Sequence, residues 1–440
     1  MISTAPSPVE TTTARSLLRW RIALLVSAAI AISYLDRQTL PWAIKAIQSD
    51  IPFSNQAKAL LDSAFLATYG VMYIIGGGML DRLGTRRGFL LIMIFWSIAC
   101  ASHGFAGGFL ALAASRLLLG MGEGGGFPAA TRAVAEWFPV NERATAMGII
   151  NAGTAVGAVV APPLIAIVLT QVRWLDLAPW RWVFFLTGAM GLLWTIWWWW
   201  DYQTPDKHRG LSETDRLLIQ KAAAVANQPE IKVPLASLLS HRETWAIIGA
   251  KFLSDGAWYF YIFWLPKYLF DVFKLDWQAA GSIGWIPYAA SGVGCLVGGG
   301  FSSWLLKRGF SVNASRKLAL GASAALMPWV MFVPQLHSLG WVIFIFSLAF
   351  FGQQSWSTLV MILPTDMISK RAVGTLAGLV GFGGAMGGVL LGQIVGWLRD
   401  HGHSYTPALI ISGSMHVAAF ILICLLVPKI QPLKIQPTNK

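Results

Sequence analysis

Twelve long apolar stretches spread over almost the whole chain constrain this sequence more than any other feature, at about 20 to 44, 58 to 80, 88 to 108, 109 to 132, 143 to 170, 180 to 202, 243 to 271, 277 to 306, 315 to 336, 338 to 363, 371 to 398 and 405 to 427. Each approaches the roughly 20 residues an α-helix needs to cross a bilayer, and none alternates as a half-buried strand does. In hydrocarbon the backbone must satisfy its own hydrogen bonds, so such stretches read as membrane-spanning helices. Only 12% of the 440 residues are charged, about half the ~25% of soluble domains. That spread of apolar sequence excludes a soluble enzyme on a single anchor. It leaves no room for a sizeable aqueous catalytic domain, so function must lie among the spans. The expected fold is an all-α membrane protein with twelve transmembrane helices in two pseudo-symmetric six-helix bundles.

The boundaries follow from where polarity returns: an N-terminal tail at 1–19, a first bundle at 20–202, a linker at 203–242, a second bundle at 243–427 and a tail at 428–440. Spaced landmarks suggest duplication. Gly77 and Gly300 each precede a basic loop, and Arg143-Ala144 and Arg371-Ala372 each open a span. In the linker, Ser212 and Asp215 fit a helix capping box before Leu217, Leu218 and Ile219. With the N-terminus cytoplasmic, the 33 Lys and Arg divide into 23 cytoplasmic, 7 external (Lys45, Lys58, Arg173, Arg181, Lys267, Lys274, Arg399) and 3 within spans (Arg37, Arg116, Lys251). This distribution obeys the positive-inside rule and accounts for the net charge of +13 without a nucleic-acid partner. Both termini are therefore expected in the cytoplasm, with the protein in the cell inner membrane. Trp197 to Trp200 would then form an interfacial anchor at the cytoplasmic end of the sixth span. Cys100, Cys295 and Cys424 are far apart in apolar surroundings, and His401-Gly-His403 has no third ligand, so no disulfide framework and no metal site is expected.

Ionisable residues inside spans are costly and are functional candidates by default. Asp36, Arg37, Arg116, Glu123, Lys251 and Asp255 stand out among them. Arg116 and Glu123 lie two helical turns apart on one face of the fourth span. Lys251 and Asp255, at i and i+4, favour an intrahelical ion pair and read as structural. For the other candidates a charge-balancing network between helices is the alternative to a transport role. Tyr34 and Tyr69 bring hydroxyls beside the charged cluster; Trp258, Tyr259, Gln353, Gln354, Trp356 and Ser357 offer hydrogen bonds and a flat apolar wall from the second half. Together they supply what a sugar acid needs: a cation for its carboxylate, neutral groups for its hydroxyls and an aromatic face for its ring. The loop Gly77-Gly-Met-Leu-Asp-Arg-Leu-Gly-Thr-Arg-Arg87 reads as a gate latch built on Asp81, Arg82, Arg86 and Arg87. Gly120, Gly122 and Gly125 formally match a dinucleotide fingerprint, but they lie within an apolar helix where that match has no meaning.

The same loop closely resembles the signature of the major facilitator superfamily. Tyr34-Leu-Asp-Arg37, Gly122-Glu-Gly-Gly-Gly-Phe-Pro128, Glu136-Trp-Phe-Pro139, Lys251-Phe-Leu-Ser-Asp255, Phe263-Trp-Leu-Pro-Lys267 and Arg371-Ala-Val373 resemble its anion:cation symporter branch, and within it the bacterial hexuronate transporters. The chain departs from that group at Gly126, where Asn is usual, and at Gln353-Gln354, where His-Gln is usual. The resemblance implies a proton-coupled symporter for a hexuronate or aldonate, working by alternating access, expected as a monomer and with no cofactor beyond the coupling proton. Arg37 would hold the carboxylate, and Asp36 and Glu123 would exchange protons. Other organic anions, such as an aldarate or an aromatic acid, are the alternative, and a proton-coupled antiporter is a further one. No nucleophile-base pair, metal cluster or cofactor motif supports an enzyme.

Overall fold

The computed structural model describes residues 17–431 apart from 209, 212, 214, 215, 218, 220–234 and 368–372. The linker capping box at Ser212 and Asp215, and Arg371-Ala372, lie outside the described residues. The first half runs α1 (Leu17–Asp50), α2 (Asn55–Leu83), α3 (Thr85–Ser102), α4 (Phe109–Glu123), α5 (Gly126–Trp137), α6 (Val140–Gln171) and α7 (Pro179–Asp201). After a short linker helix α8 (Leu235–Leu239), the second half runs α9 (Arg242–Val272), α10 (Trp277–Gly284), α11 (Ile286–Lys307), α12 (Val312–Ala324), α13 (Leu339–Met367), α14 (Val373–Asp400) and α15 (Thr406–Leu426). Span four is the broken pair α4 and α5, and span eight is α10 and α11. Span nine is α12 continued by the 3-10 segment Met327–Gln335, which carries Pro328 and Pro334.

Ten of these helical segments are long and apolar enough to cross a membrane on length and composition. Span four fails because Gly124-Gly125 divides it, and α9 fails because of its charges. These two carry Arg116, Glu123, Lys251 and Asp255. Apolar side chains exposed on the outer surface, such as Leu110, Leu193, Leu296 and Leu425, suit a hydrocarbon solvent.

The packing repeats under a shift of six spans. In the first half α1 lies along α6, α2 along α4, and α3 along α7; in the second α9 lies along α14, α11 along α13, and α15 along the 3-10 end of span nine. The halves meet through α2 with α14, α6 with α10 and α11, and α1 with α9. Close crossings need small residues where lipid offers no hydrophobic drive. A Cβ on Gly157 would collide with the Ala31 carbonyl oxygen, and one on Gly387 with the Phe252 carbonyl oxygen, so α1–α6 and α9–α14 close in the same way.

Among the described residues, side-chain hydrogen bonds between the halves gather towards the end that carries Asp50. Asp400 accepts from the backbone N–H groups of Asn55 (2.9 Å) and Gln56 (2.8 Å) at the start of α2. Gln393 donates to Ser63 at 2.7 Å, Lys267 to Gln48 at 3.3 Å, and Tyr288 to Gln38 at 2.9 Å. Gly284 also lies against the Trp42 ring. The molecule is sealed at this end.

Candidate functional site

α1 is locally weakened where its charges lie. Pro41 stands four residues after Arg37, so it cannot donate the helical hydrogen bond to the Arg37 carbonyl. Glu123 is the last residue of α4, directly before the Gly124-Gly125 break. Discontinuous helices near the bilayer middle are where carriers keep polar groups.

Arg37 is 2% exposed and reaches Glu123 from a different helix, with Nη2 donating to Oε2 at 3.0 Å and Nε at 3.3 Å. Ser33 donates to the same oxygen at 2.9 Å, leaving the buried Glu123 Oε1 without a partner. The guanidinium is also caged by aromatic rings, 4.5 Å from Tyr69, 4.6 Å from Tyr34 and 5.3 Å from Phe65. Cation–π contacts of this kind stabilise a desolvated cation by about 2 kcal/mol. Tyr259, from α9 in the other half, is an electrostatic neighbour of Arg37 and Tyr69. Tyr69 donates to the Tyr73 hydroxyl at 3.4 Å. Arg37, Glu123, Tyr34, Tyr69 and Tyr259 are thus gathered into one site at the junction of the halves.

Other expected site residues lie elsewhere. Asp36 is fully buried and points into the first bundle, beside Thr187 and Cys100, with neither carboxylate oxygen in a well-formed hydrogen bond. Adjacent helical residues diverge by about 100°, which is why it cannot share the pocket of Arg37. Arg116 belongs to a second cluster: its Nη2 is 3.8 Å from Asp62, which also accepts from Lys58 at 2.6 Å. Lys58, expected in an external loop, is fully buried with its ammonium 4.2 Å from the Trp264 ring. Phe65 lies between the two arginines, 4.7 Å from the Arg116 guanidinium.

In the second half, Lys251 and Asp255 form their i,i+4 pair at 2.9 Å, and Lys251 donates to Ser357 at 2.8 Å. Gln353 donates to Asp255 at 3.4 Å while its carbonyl oxygen pairs with His416 Nε2. Trp356 offers no wall to a central ligand: it is fully buried in the core of its own half, edge-on to His416. Gln354 is half-buried, and Trp258 packs edge-on against Phe350.

At the other end from Asp50, a single residue joins α2 to α3. Gly84 has φ of +72°, a conformation that favours glycine. Arg86 donates to the Trp199 carbonyl at 2.8 Å and stacks on that ring, whereas Arg82 and Arg87 are exposed. The Asp81 side chain lies outside the described residues. Glu136 ties this turn to the bundle, accepting from Thr85 and from Tyr202 and pairing with Arg132 at 3.2 Å. Trp198 departs from the expected anchor: it is buried, donating to the Arg86 carbonyl, while Trp197, Trp199 and Trp200 are exposed. Among the described residues no group of three or more His, Cys, Asp or Glu is arranged to hold a metal.

Sequence reasoning passed over Ser33, Asp62, Phe65 and His416, and gave Lys58 and Glu136 no part in these clusters. Asp62 and His416 sit inside apolar stretches, so the rule that selects Arg37 also selects them.

A twelve-span helical bundle in two halves with the buried pair of Arg37 and Glu123 where they meet has the form of a membrane carrier. The family model of the Major Facilitator Superfamily matches residues 26–392, and the chain belongs to that family; it is a transporter and not an enzyme. It is 29% identical to the hexuronate transporter of Escherichia coli (strain K12), over 87% of this chain and 88% of that one. It is 27% identical to the D-galactonate transporter of Escherichia coli O6:H1, over 93% and 95%. In fold it is similar to the inward open conformation of the xylose transporter XylE from E. coli, with a TM-score of 0.73 at 12% identity, over 93% of this chain and 96% of that one.

Proposed function

We propose that this protein is a proton-coupled symporter that imports a sugar acid, a hexuronate or aldonate, across the cell inner membrane, with both termini in the cytoplasm. The observation that carries the reading is the buried pair of Arg37 and Glu123, held on separate helices inside an aromatic cage. The names of the hexuronate and D-galactonate relatives support the substrate class, and the excess of Lys and Arg on the linker side supports the orientation. On that orientation the sealed end is external.

Arg37 can satisfy one carboxylate well and two poorly. A substrate carboxylate arriving at the guanidinium displaces Glu123, which in an apolar bundle holds a charge only at high cost without its partner. Glu123 therefore takes a proton as the anion takes its place, and one anion and one proton share the site. Opening towards the cytoplasm hydrates the pocket; the proton leaves, Glu123 reclaims Arg37 and the substrate is expelled. Tyr34, Tyr69 and Tyr259 supply hydroxyls and ring faces for the sugar.

The test is uptake of D-glucuronate and D-galactonate into proteoliposomes under an imposed pH gradient, with the gradient collapsed as control. Accumulation that vanishes with the gradient is expected. Accumulation that survives collapse rules out proton coupling, and no uptake of either anion rules out the substrate class.

A further inference from the structure

At the Asp50 end, a cavity of about 300 Å³ opens between the two central helices α1 and α9, lined by Lys45, Gln48, Lys267, Phe270, Asp271 and Lys274 among others. That volume is at the lower end of small-molecule sites. It shares no lining residue with the Arg37 site, and two exposed lysines, Lys45 and Lys274, line it.

The cavity holds an uncompensated positive charge. Asp271 is its only acid, and that carboxylate is already shared among Lys267 (3.4 Å), the Tyr405 hydroxyl (2.8 Å) and Arg399 (3.8 Å). Nearby acids are committed elsewhere: Asp50 to Arg181 and Trp180, and Asp276 to the N-terminal turn of α10. Lys45 and Lys274 are exposed and have no carboxylate partner among the described residues; Lys45 lies 5.7 Å and 5.8 Å from the Phe270 and Trp277 rings. Lys274 also stands at φ +53°, in the left-handed region that is strained for any residue with a side chain. The turn after α9 would be less strained with Gly or Asn there. Below the cavity the cations continue inward, from half-buried Lys267 to buried Lys58, Arg116 and Arg37, each within electrostatic reach of the next. Each of these inner cations has a carboxylate beside it, whereas Lys45 and Lys274 have none among the described residues.

We propose that this cavity is a vestibular docking site for the carboxylate of the transported anion, with Lys45 and Lys274 as its free cations and the first station on the route to Arg37. The inference rests on the reading of the protein as a sugar-acid importer. A low-dielectric cleft of one sign concentrates counter-ions and raises on-rates, and the two central helices place this one over the path. Binding there is weak, because the lysines are wet, and it is salt-sensitive for the same reason.

The experiment uses D-glucuronate and the full chain in nanodiscs and proteoliposomes of phosphatidylcholine alone, which removes anionic lipid as a competing occupant. Equilibrium binding is measured in the parent, in Arg37→Ala and in the double variant Lys45→Gln, Lys274→Gln. The expected result is a weak, salt-sensitive phase that survives Arg37→Ala and is absent from the double variant. In uptake, the double variant should raise KM for external D-glucuronate about three- to tenfold at low ionic strength, with Vmax changed less than twofold, and the difference should vanish at about 0.5 M salt. A double variant indistinguishable from the parent in both the weak phase and KM overturns the docking site. Loss of the Arg37-dependent phase from the parent, with the lysine-dependent one intact, would instead overturn the proposed function and leave the docking site standing.

Discussion

The two halves each bury a cation and an acid near the molecular centre, but they join them differently. In the first half Arg37 comes from α1 and Glu123 from the broken span four, 86 residues apart. In the second, Lys251 and Asp255 are one turn apart on α9. A pair between helices changes its distance when the helices move, whereas an i,i+4 pair is carried along unchanged. The first arrangement can therefore link ion exchange to movement of α1 against span four within the first half, while the second can only fix a charge in place. The surroundings reinforce the contrast. Arg37 is held by ring faces and by one oxygen of Glu123, whereas Lys251, Asp255, Gln353 and His416 form a continuous polar chain.

The largest expected difference is in binding. Arg37→Ala should weaken carboxylate binding about a hundredfold, since a charge-assisted contact of ~3 kcal/mol is lost, and Arg37→Lys about tenfold because the fork is lost and the charge kept. Lys251→Ala should cost less than about threefold by the same titration. Equal losses would erase the distinction between the halves. Next comes coupling. Glu123→Gln should retain substrate counterflow in proteoliposomes yet fail to accumulate substrate down a pH gradient, and Asp255→Asn should do both. Accumulation at the parent level by Glu123→Gln would remove it from the coupling step.

Stability gives the third contrast. Asp62→Asn leaves Lys58 and Arg116 buried without their acid and should cost about 3 kcal/mol, read as a lowered Tm; the same change at Asp255, which leaves a single cation that keeps its hydrogen bond to Ser357, should cost less. A Tm unaltered in Asp62→Asn would mean that an unrecorded anion already neutralises the cluster. The smallest effect is expected from Arg86→Ala, which removes one hydrogen bond and a stacked ring, ~1 kcal/mol. It should slow uptake two- to threefold with affinity intact; an equal change in affinity would connect this turn to the pocket.

The span pattern and the burial of Arg37 and Glu123 as charges inside spans were legible in the sequence, because each depends on a rule that acts locally. An apolar run must become a helix in a bilayer, and a charge inside that run must face protein or water. The placement of Asp36 was not legible. It differs from Arg37 by one residue, and only the packing of α3 and α7 behind it decides that it meets Cys100 and Thr187 rather than the pocket. The placement of Trp356 and Gln353 was not legible for a related reason. Their side chains are polar or flat enough for a sugar, yet helix rotation turns them onto His416 inside the bundle.

Lys58 shows the same limit at a span boundary. A lysine at the edge of an apolar stretch reads as external, and here Asp62 one turn along and the Trp264 ring from the other half bury it completely. The sequence by itself determined which stretches are helices and which charges must be shielded, since the free energy of transfer to hydrocarbon depends on composition over a turn or two. Tertiary structure alone decided which charge shields which, because that choice is made by the rotation of each helix and by contacts between residues distant in the chain.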